Sequence, residues 1–340
     1  MRLALIFGFI ATRLALAQSG TQSPPLSDEF ARAQHQIQQG HSAEAIATLE
    51  KLNEVKPPVK GVAHDLGLAC YRSGRLLEAQ QAFGKAIQDD PTDMESVQML
   101  GLALYRLGQP AAAIPYLERV RQWMPNSDAD ANYVLGLCYM NARRYDNARK
   151  AFAAQYGVPA ESGPAYLLFG NMLMTADVPE LAAPAAKKAL QLSPNLPLAH
   201  FMLGEVALFK SSPDEALKEF EAERTLNPDY SPVYDRLGDV YTRMGNYQSA
   251  QEALMKAISL DTSRTGPFIL MGKVLLRRDD PQSAVLYLKH AVKMDSGNYV
   301  AHTLLGQAYR RLGNEEEARR ELDTAAKIQN ANDLKPQPIQ

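Results

Sequence analysis

Residue types that carry chemistry are scarce in this chain. Its 340 residues include only 2 cysteines and 6 histidines. Neither Cys70 nor Cys138 has a second ligand or a histidine at a useful spacing, so both are expected to pack as small apolar side chains. No glycine-rich phosphate loop or nucleophile elbow is present. The histidines show no metal-ligand spacing and are His35, His41, His64, His200, His290 and His302. The sequence therefore predicts no catalytic residue, no metal site and no cofactor.

An excess of charge of either sign is also missing. Lysine and arginine total 36 against 38 aspartates and glutamates, which gives a net charge of −2 and a pI of about 6.3. Without a basic excess, general binding to a phosphate backbone lacks its main driving force, so no nucleic-acid partner is expected. Apolar residues make up 46% of the chain and charged residues 22%, as is typical of folded proteins.

The N-terminal apolar run is too short for a membrane span, which needs about 20 residues. Arg2 precedes the apolar residues 3–11, and Ala15-Leu16-Ala17 supplies the small-x-small pattern that a signal peptidase accepts before Gln18. Residues 1–17 are therefore predicted to be a secretion signal and residues 18–25 a linker. The mature protein is expected to be periplasmic or extracellular and to have no transmembrane span.

Arg13 departs from this pattern because it places a charge between the apolar run and the cleavage site. One alternative is a short N-terminal helix that is retained in a cytoplasmic protein, and a weaker one is a transmembrane anchor. The first cysteine, Cys70, is far from the cleavage site, so a lipoprotein modification is not supported.

Two residue types recur along most of the chain. Every step between the recurring glycines is 34 residues except one of 35; they are Gly67, Gly101, Gly136, Gly170, Gly204, Gly238, Gly272 and Gly306. Twelve residues after each glycine stands an alanine, at Ala79, Ala113, Ala148, Ala182, Ala216, Ala250, Ala284 and Ala318. Such a period is typical of a repeat array. The frame places the two cysteines two units apart, too far to form a disulfide.

Within each repeat, apolar residues at helical spacing predict two amphipathic helices, as Leu66, Cys70, Phe83 and Ala86 illustrate. A glycine inside a helix costs about 1 kcal/mol relative to alanine. Its return at one place in eight units therefore needs a steric reason. We expect the first helix of each unit to contact the second there, where any side chain would push the pair apart.

Prolines agree with this frame. Those three residues before the recurring alanine occupy the first turn of the second helix, where no hydrogen bond is lost; they are Pro110, Pro179, Pro213 and Pro281. Asp177, Ser212 and Asp280 lie near these helix starts and are predicted to cap them. A second set of prolines closes units, at Pro91, Pro125, Pro194 and Pro228.

These features resemble the tetratricopeptide-repeat family over residues 26–332. The resemblance rests on Leu-Gly pairs such as Leu66-Gly67, the fixed alanine, an aromatic such as Phe83 after it, and the closing proline. It implies an all-α, right-handed α-solenoid of about nine helix-turn-helix units, followed by a tail over residues 333–340. The units are predicted to start near residues 26, 60, 94, 129, 163, 197, 231, 265 and 299. The first unit is degenerate, with Ala33 where glycine is expected.

The resemblance also implies that the first helices line a concave groove in which proteins, peptides or helices bind. We call the residues predicted to face a partner there the predicted groove. Its members are mostly apolar and are Leu102, Tyr105, Tyr133, Leu137, Met140, Leu167, Asn171, Met174, Phe201, Glu205 and Leu208. Asn171 and Glu205 are expected to orient a partner by hydrogen bonding. The alternative is that the large apolar side chains fill the contact between neighbouring first helices.

The equivalent places further along the chain are polar and hold Asp235, Asp239, Thr242, Lys273, Thr303, Gln307 and Arg310. A mostly apolar stripe suits an amphipathic helix or an apolar extended segment. The family's clamp of cations and amides for a terminal carboxylate is not found, because His64, Leu68, Gln98 and Leu102 stand at the places checked.

An arginine series marks the ends of first helices, at Arg72, Arg106, Arg243, Arg277 and Arg311. Stabilisation by the helix dipole explains it better than an anion-binding ladder does. The sequence as a whole favours a non-enzymatic scaffold or adaptor of the cell envelope. The alternatives are a self-associating structural component and an accessory subunit of an envelope enzyme or export machine; the oligomeric state is left open.

Overall fold

The computed structural model describes residues 26–57, 59–123 and 131–333, with the backbone alone at 332 and 333. The predicted secretion signal, the linker over 18–25 and residues 334–340 of the tail lie outside the described residues. No described helix is both long enough and apolar enough to cross a bilayer.

The described residues form helices and contain no strand. The helices are α1 (Leu26–Gln38), α2 (Ser42–Asn53), α3 (Val62–Arg72), α4 (Leu76–Asp89), α5 (Met94–Arg106), α6 (Pro110–Trp123), α7 (Ala131–Asn141), α8 (Tyr145–Gln155), α9 (Gly163–Thr175), α10 (Pro179–Leu192), α11 (Ala199–Phe209), α12 (Pro213–Leu226), α13 (Ser231–Arg243), α14 (Tyr247–Leu260), α15 (Thr265–Arg277), α16 (Pro281–Met294), α17 (Tyr299–Arg311) and α18 (Glu315–Asp333). The chain divides into two compact units, residues 1–123 with α1 to α6 and residues 124–340 with α7 to α18.

Within each compact unit, every odd-numbered helix packs against the even-numbered helix that follows it. A short turn joins the two, so each pair is a helical hairpin. Neighbouring hairpins within a unit then pack on each other through the second helix of one and the first helix of the next. The predicted all-α architecture of repeated helix pairs is confirmed.

The recurring glycines lie where the two helices of a hairpin touch. A Cβ atom added to Gly67 would come within 2.5 Å of the Phe83 ring, and one added to Gly136 within 2.5 Å of the Phe152 ring. Leucine side chains make the same close approach elsewhere, as Leu254 does to Gly238 at 2.6 Å. Real Cβ atoms do not approach other atoms this closely, so the steric explanation predicted from the sequence is confirmed.

In the fifth hairpin, formed by α9 and α10, the side chain that packs against the recurring glycine comes from a different helix. The atom nearest to a Cβ on Gly170 would be the sulfur of Met202, at 2.5 Å, which comes from α11 and not from α10. The place filled by phenylalanine or leucine in other units holds Ala186 here. Methionine is flexible enough to fill the irregular gap that the smaller residue leaves.

Each first helix is followed by a residue in the left-handed conformation, two positions after the last helical residue. Gly74 is an example: its N–H donates to the Tyr71 carbonyl at 3.2 Å, and the Arg75 N–H donates to the Cys70 carbonyl at 2.9 Å. These bonds satisfy carbonyls that the helix end would leave unpaired. The series was not recognised in the sequence, because four units place a residue other than glycine there: Arg143, Asp177, Ser211 and Asp279.

The predicted prolines are confirmed in place, since α6, α10, α12 and α16 each begin at one. The capping prediction was right for Asp280, whose Oδ1 accepts from the Ser283 N–H at 3.0 Å, a bond that lowers the pKa of the carboxyl. It was wrong for the other two. Ser212 occupies the N-cap position but makes no capping hydrogen bond, and Asp177 is taken up by the left-handed turn before α10.

The glycine contact can be tested with two alanine substitutions in the same hairpin. Gly67→Ala should destabilise the protein by about 1–3 kcal/mol, because Phe83 must move, although alanine favours the helix. Gly84→Ala, in α4, should stabilise it by up to about 1 kcal/mol, because nothing lies within 4 Å of the added atom. Urea and thermal unfolding of the two variants would measure the effects, and a shift of the same sign in both would contradict the steric role.

Candidate partner-binding surface

Two residues of the predicted groove, Leu102 and Tyr105, lie on α5 in the first compact unit. Both are half-buried. They follow Gly101 and Leu104, which are buried against the hairpin, so α5 has an inward face and a partly covered face next to it. The other nine residues lie on α7, α9 and α11 of the second compact unit.

Three aromatic or apolar members on these helices are engaged in packing. The Tyr133 ring lies 5.7 Å from the Phe152 ring of its own hairpin. Leu167 is only 9% exposed. The Phe201 ring lies 5.5 Å from Phe220 and 5.5 Å from Tyr230, centre to centre. For these positions the geometry favours the alternative stated from the sequence, that large side chains fill helix contacts.

The remaining apolar members are only partly covered. Leu137, Met140, Met174 and Leu208 are half-buried, and Asn171 between them is exposed. The Asn171 side chain makes no hydrogen bond to another described residue, so its amide is available to a ligand. We call the four apolar residues, together with Phe209, the apolar stripe.

Phe209 was missed by the sequence reasoning. It is the last residue of α11 and is 58% exposed. The repeat contains a signal for it. The places equivalent to Arg72, Arg106, Arg243, Arg277 and Arg311 hold Asn141, Thr175 and Phe209 in the three units between. The arginine series is therefore interrupted over the helices that carry the apolar stripe.

Salt bridges, and not exposed apolar side chains, characterise the next first helix, α13, and its contact with α11. Glu205 accepts two hydrogen bonds from the Arg236 guanidinium, at 2.6 and 3.2 Å. Asp235 accepts from Arg264 at 3.3 Å, and Asp239 accepts from Arg243 at 3.0 Å. Glu205, predicted to orient a partner, is thus already held by α13.

Burial and neighbouring charges shift the pKa values of Asp235 and Arg236 in this cluster. Asp235 is 6% exposed, and burial raises the pKa of its carboxyl in spite of the neighbouring Arg236 and Arg264. Burial alone would lower the pKa of Arg236, but the charges of Glu205 and Asp235 raise it above its ordinary value. The cluster therefore joins α11, α13 and the start of α15 by compensated charges, and losing one partner would leave another charge buried.

Three of the five arginines in the series contact the preceding first helix. Arg72 donates to the Ile37 carbonyl at 3.1 Å, and Arg311 donates to the Leu276 carbonyl at 2.5 Å. The Arg106 guanidinium lies 4.8 Å from the centre of the Tyr71 ring. These contacts at helix C-termini agree with the structural interpretation of the series.

A buried glutamate fixes the start of α11. Glu223, on α12, has no exposed surface; its carboxylate accepts from the Leu198 N–H at 2.9 Å and from the Phe201 N–H at 3.2 Å. Most other units hold alanine at this place, as at Ala257 and Ala291. The carboxylate thus does for α11 what a capping side chain does for other helices.

The two cysteines and His64 are buried or hydrogen-bonded within the fold. Cys70 and Cys138 are free and fully buried, and burial raises the pKa of Cys70 and raises that of Cys138 to about 11. A cavity of about 580 Å³ in the first compact unit lies beside His64, whose Nδ1 is 2.9 Å from Asp93 Oδ2 and 3.0 Å from Ser96 Oγ. Across the described ranges, no cluster of three or more possible ligands is arranged to hold a metal ion.

Family models described as tetratricopeptide repeat match much of the chain. Three such models match residues 30–93, 64–127, 104–155, 231–264 and 275–334. The matches include both compact units and together cover more than half of the sequence.

Curated relatives and solved structures share the repeats at low identity. Protein CTR9 homolog of Arabidopsis thaliana is 24% identical over 68% of this chain and 22% of its own length. Cellulose synthase 1 operon protein C of Komagataeibacter xylinus is 25% identical over 59% of this chain and 16% of its own length. The chain thus spans about a fifth of these relatives. The crystal structure of the APC/C hetero-tetramer Cut9-Hcn1 covers 78% of this chain and 52% of its own, with a TM-score of 0.46 and 19% identity.

The capping role of Glu223 can be tested by truncation. Glu223→Ala should destabilise the protein by about 2–4 kcal/mol, because two N–H groups at the start of α11 lose a charged acceptor in a buried place. Glu252→Ala, at an exposed position of α14, is the matched control and should change stability by less than about 0.5 kcal/mol. Urea denaturation of both variants measures the difference; equal, small effects would show that the carboxylate does not hold the helix.

Proposed function

Because the chain belongs to the tetratricopeptide-repeat family, we propose that it is a non-enzymatic scaffold that binds a segment of a partner protein on the first helices of its second compact unit. The observation that carries the proposal is the apolar stripe, Leu137, Met140, Met174, Leu208 and Phe209. Large side chains left partly uncovered along three successive first helices are a common feature of protein-binding surfaces.

The chemistry of the stripe indicates the kind of segment. Methionine and leucine side chains adapt to the shape of an apolar ligand, and Phe209 offers a large aromatic anchor. A fully buried apolar anchor contributes about 1.5–3 kcal/mol, and half-buried residues have roughly half of that left to gain. An amphipathic helix, or an extended segment with apolar residues on one side, would cover the stripe, and Asn171 would fix its orientation by hydrogen bonding.

The proposed location is the cell envelope. Its support is the leader pattern of residues 1–17 described above. A second candidate function is an accessory subunit of a polysaccharide-synthesis or export machine. What favours it is the similarity to a cellulose synthase operon protein, which extends over 59% of this chain.

The binding proposal predicts a selective loss of affinity. The variant Met140→Gln with Phe209→Ser removes two members of the apolar stripe and avoids Tyr133, which packs against Phe152. The full chain would be used to capture its partner from the native cells; the purified partner would then be titrated by calorimetry. We expect affinity to fall at least about tenfold, a loss of about 1.4 kcal/mol.

The matched control is Met255→Gln with Leu286→Ser, on α14 and α16, where the side chains are 53% and 70% exposed. It removes the same kinds of atoms from second helices and should leave affinity within about twofold of wild type. A stripe variant that remains folded and binds at full strength would rule out the stripe as the partner site.

The oligomeric state separates the scaffold from the self-associating alternative. The last helix, α18, has an exposed surface rich in charge of both signs, including Glu316, Arg319 and Arg320. A repeat end of this kind is typical of a solvent-facing cap and not of a stacking surface. We expect static light scattering to give a monomer mass at every concentration, whereas a mass that rises with concentration would favour self-association.

A further inference from the structure

Three cations on the first helices of the second compact unit have no partner among the described residues. Lys273 and Arg277 lie on α15, and Arg310 lies on α17. None of them forms an ion pair, hydrogen bond or ring contact with any residue that the structure describes. Arg277 is the exception in its own series, because Arg72, Arg106, Arg243 and Arg311 all have a described contact. We call these three residues the basic patch.

The basic patch lies on the same side of the first helices as the apolar stripe. In the 34-residue frame Lys273 is equivalent to Glu205, Arg277 to Phe209, and Arg310 to Leu208. Helices α15 and α17 pack directly against each other. Lys273 and Arg277 are one turn apart on α15, or about 6 Å along its axis. Arg277 and Arg310 are exposed and Lys273 is half-buried, so all three ammonium or guanidinium groups can meet a ligand.

Nearby carboxylates do not neutralise the basic patch. Asp239 is held by Arg243, and Asp235 by Arg264. Glu205 is held by Arg236. Asp279 is 94% exposed and lies 3.7 Å from Arg311. Each of these four carboxylates is paired with a different arginine. They therefore do not compensate the positive charge of Lys273, Arg277 and Arg310.

We propose that the basic patch binds acidic side chains of the same partner segment whose apolar side chains lie on the apolar stripe. This inference rests on the proposed function and adds the order of the partner's chemistry: an apolar stretch over α7 to α11 and an acidic stretch over α15 and α17. Packed helices are about 8–10 Å apart, so the two steps from α11 over α13 to α15 span at least about 20 Å. An extended chain crosses that distance in about six residues.

A polypeptide fits this surface better than other polyanions do. Its chemistry changes along its length from apolar to acidic, as the surface requires. A nucleic acid or an anionic membrane presents charge continuously, whereas the charges of α13, between the two regions, are already paired in salt bridges. The chain as a whole carries a net charge of −2, which gives no general attraction for polyanions.

Fluorescein-labelled deca-glutamate tests the basic patch without the native partner. Anisotropy titration of the full chain should show binding at low salt that weakens as salt is raised, because exposed charges are screened. The variant Lys273→Gln, Arg277→Gln, Arg310→Gln should bind about tenfold more weakly. The matched control, Lys293→Gln, Arg319→Gln, Lys327→Gln, removes three exposed cations from α16 and α18 and should bind as wild type does.

The proposal is overturned if wild-type protein does not bind deca-glutamate, or if the two triple variants lose affinity equally, since net charge alone would then explain binding. It is also overturned if a single-stranded deca-nucleotide or phosphatidylglycerol vesicles bind more tightly than deca-glutamate through the same three residues. Met140→Gln with Phe209→Ser should leave deca-glutamate binding unchanged. A failure of the apolar stripe in the partner assay is thereby distinguished from a failure of the basic patch.

Discussion

The repeat depends on one contact, in which the second helix of most hairpins inserts a large apolar side chain against a glycine of the first. Phe83, Phe152 and Phe220 do so against Gly67, Gly136 and Gly204. Removing the Cβ lets two backbones approach closely, and the inserted ring then fills the space with no exposed surface. The gain from burying a phenylalanine, about 1.5–3 kcal/mol, exceeds the helix penalty of glycine, about 1 kcal/mol. A glycine in the middle of the first helix is therefore tolerated in the eight hairpins from α3 onward.

This contact also determines which side of each first helix remains uncovered. Once Gly204 and Leu203 face the second helix, residues 205, 208 and 209 lie on another side of α11, where only the neighbouring first helices can cover them. How far such side chains are covered varies: Leu167 on α9 is 9% exposed, whereas Leu208 on α11 is half-buried. The candidate surface is thus a by-product of hairpin geometry, and its chemistry is free to vary from unit to unit. Specificity in such proteins resides in these variable positions and not in the fold.

Much of the architecture follows from the sequence because the features that carry it are local and repeated. Glycine, alanine and proline at fixed spacing identify the helix pairs, their contacts and the starts of second helices. The candidate site could be predicted only in part. Whether Tyr133 or Phe201 faces a ligand depends on what Phe152, Phe220 and Tyr230 leave open, and that is a matter of three-dimensional packing. Glu205 is polar in the sequence, but nothing local reveals that Arg236, 31 residues later, engages it.

The partial burial of the apolar stripe constrains how a partner can bind. Side chains that are already half-buried give up little rotamer freedom when a ligand covers them, so the ordering cost on the scaffold side is small. The same burial limits what each contact can contribute, to roughly half of the value for a fully exposed anchor. Tight binding through the stripe would then require several contacts acting together. The cations of the basic patch, on the later first helices α15 and α17, offer the complementary property, because long-range attraction speeds encounter and fixes orientation more than it adds affinity. A surface with adaptable apolar contacts in one region and uncompensated charge in another is suited to holding one segment in one direction.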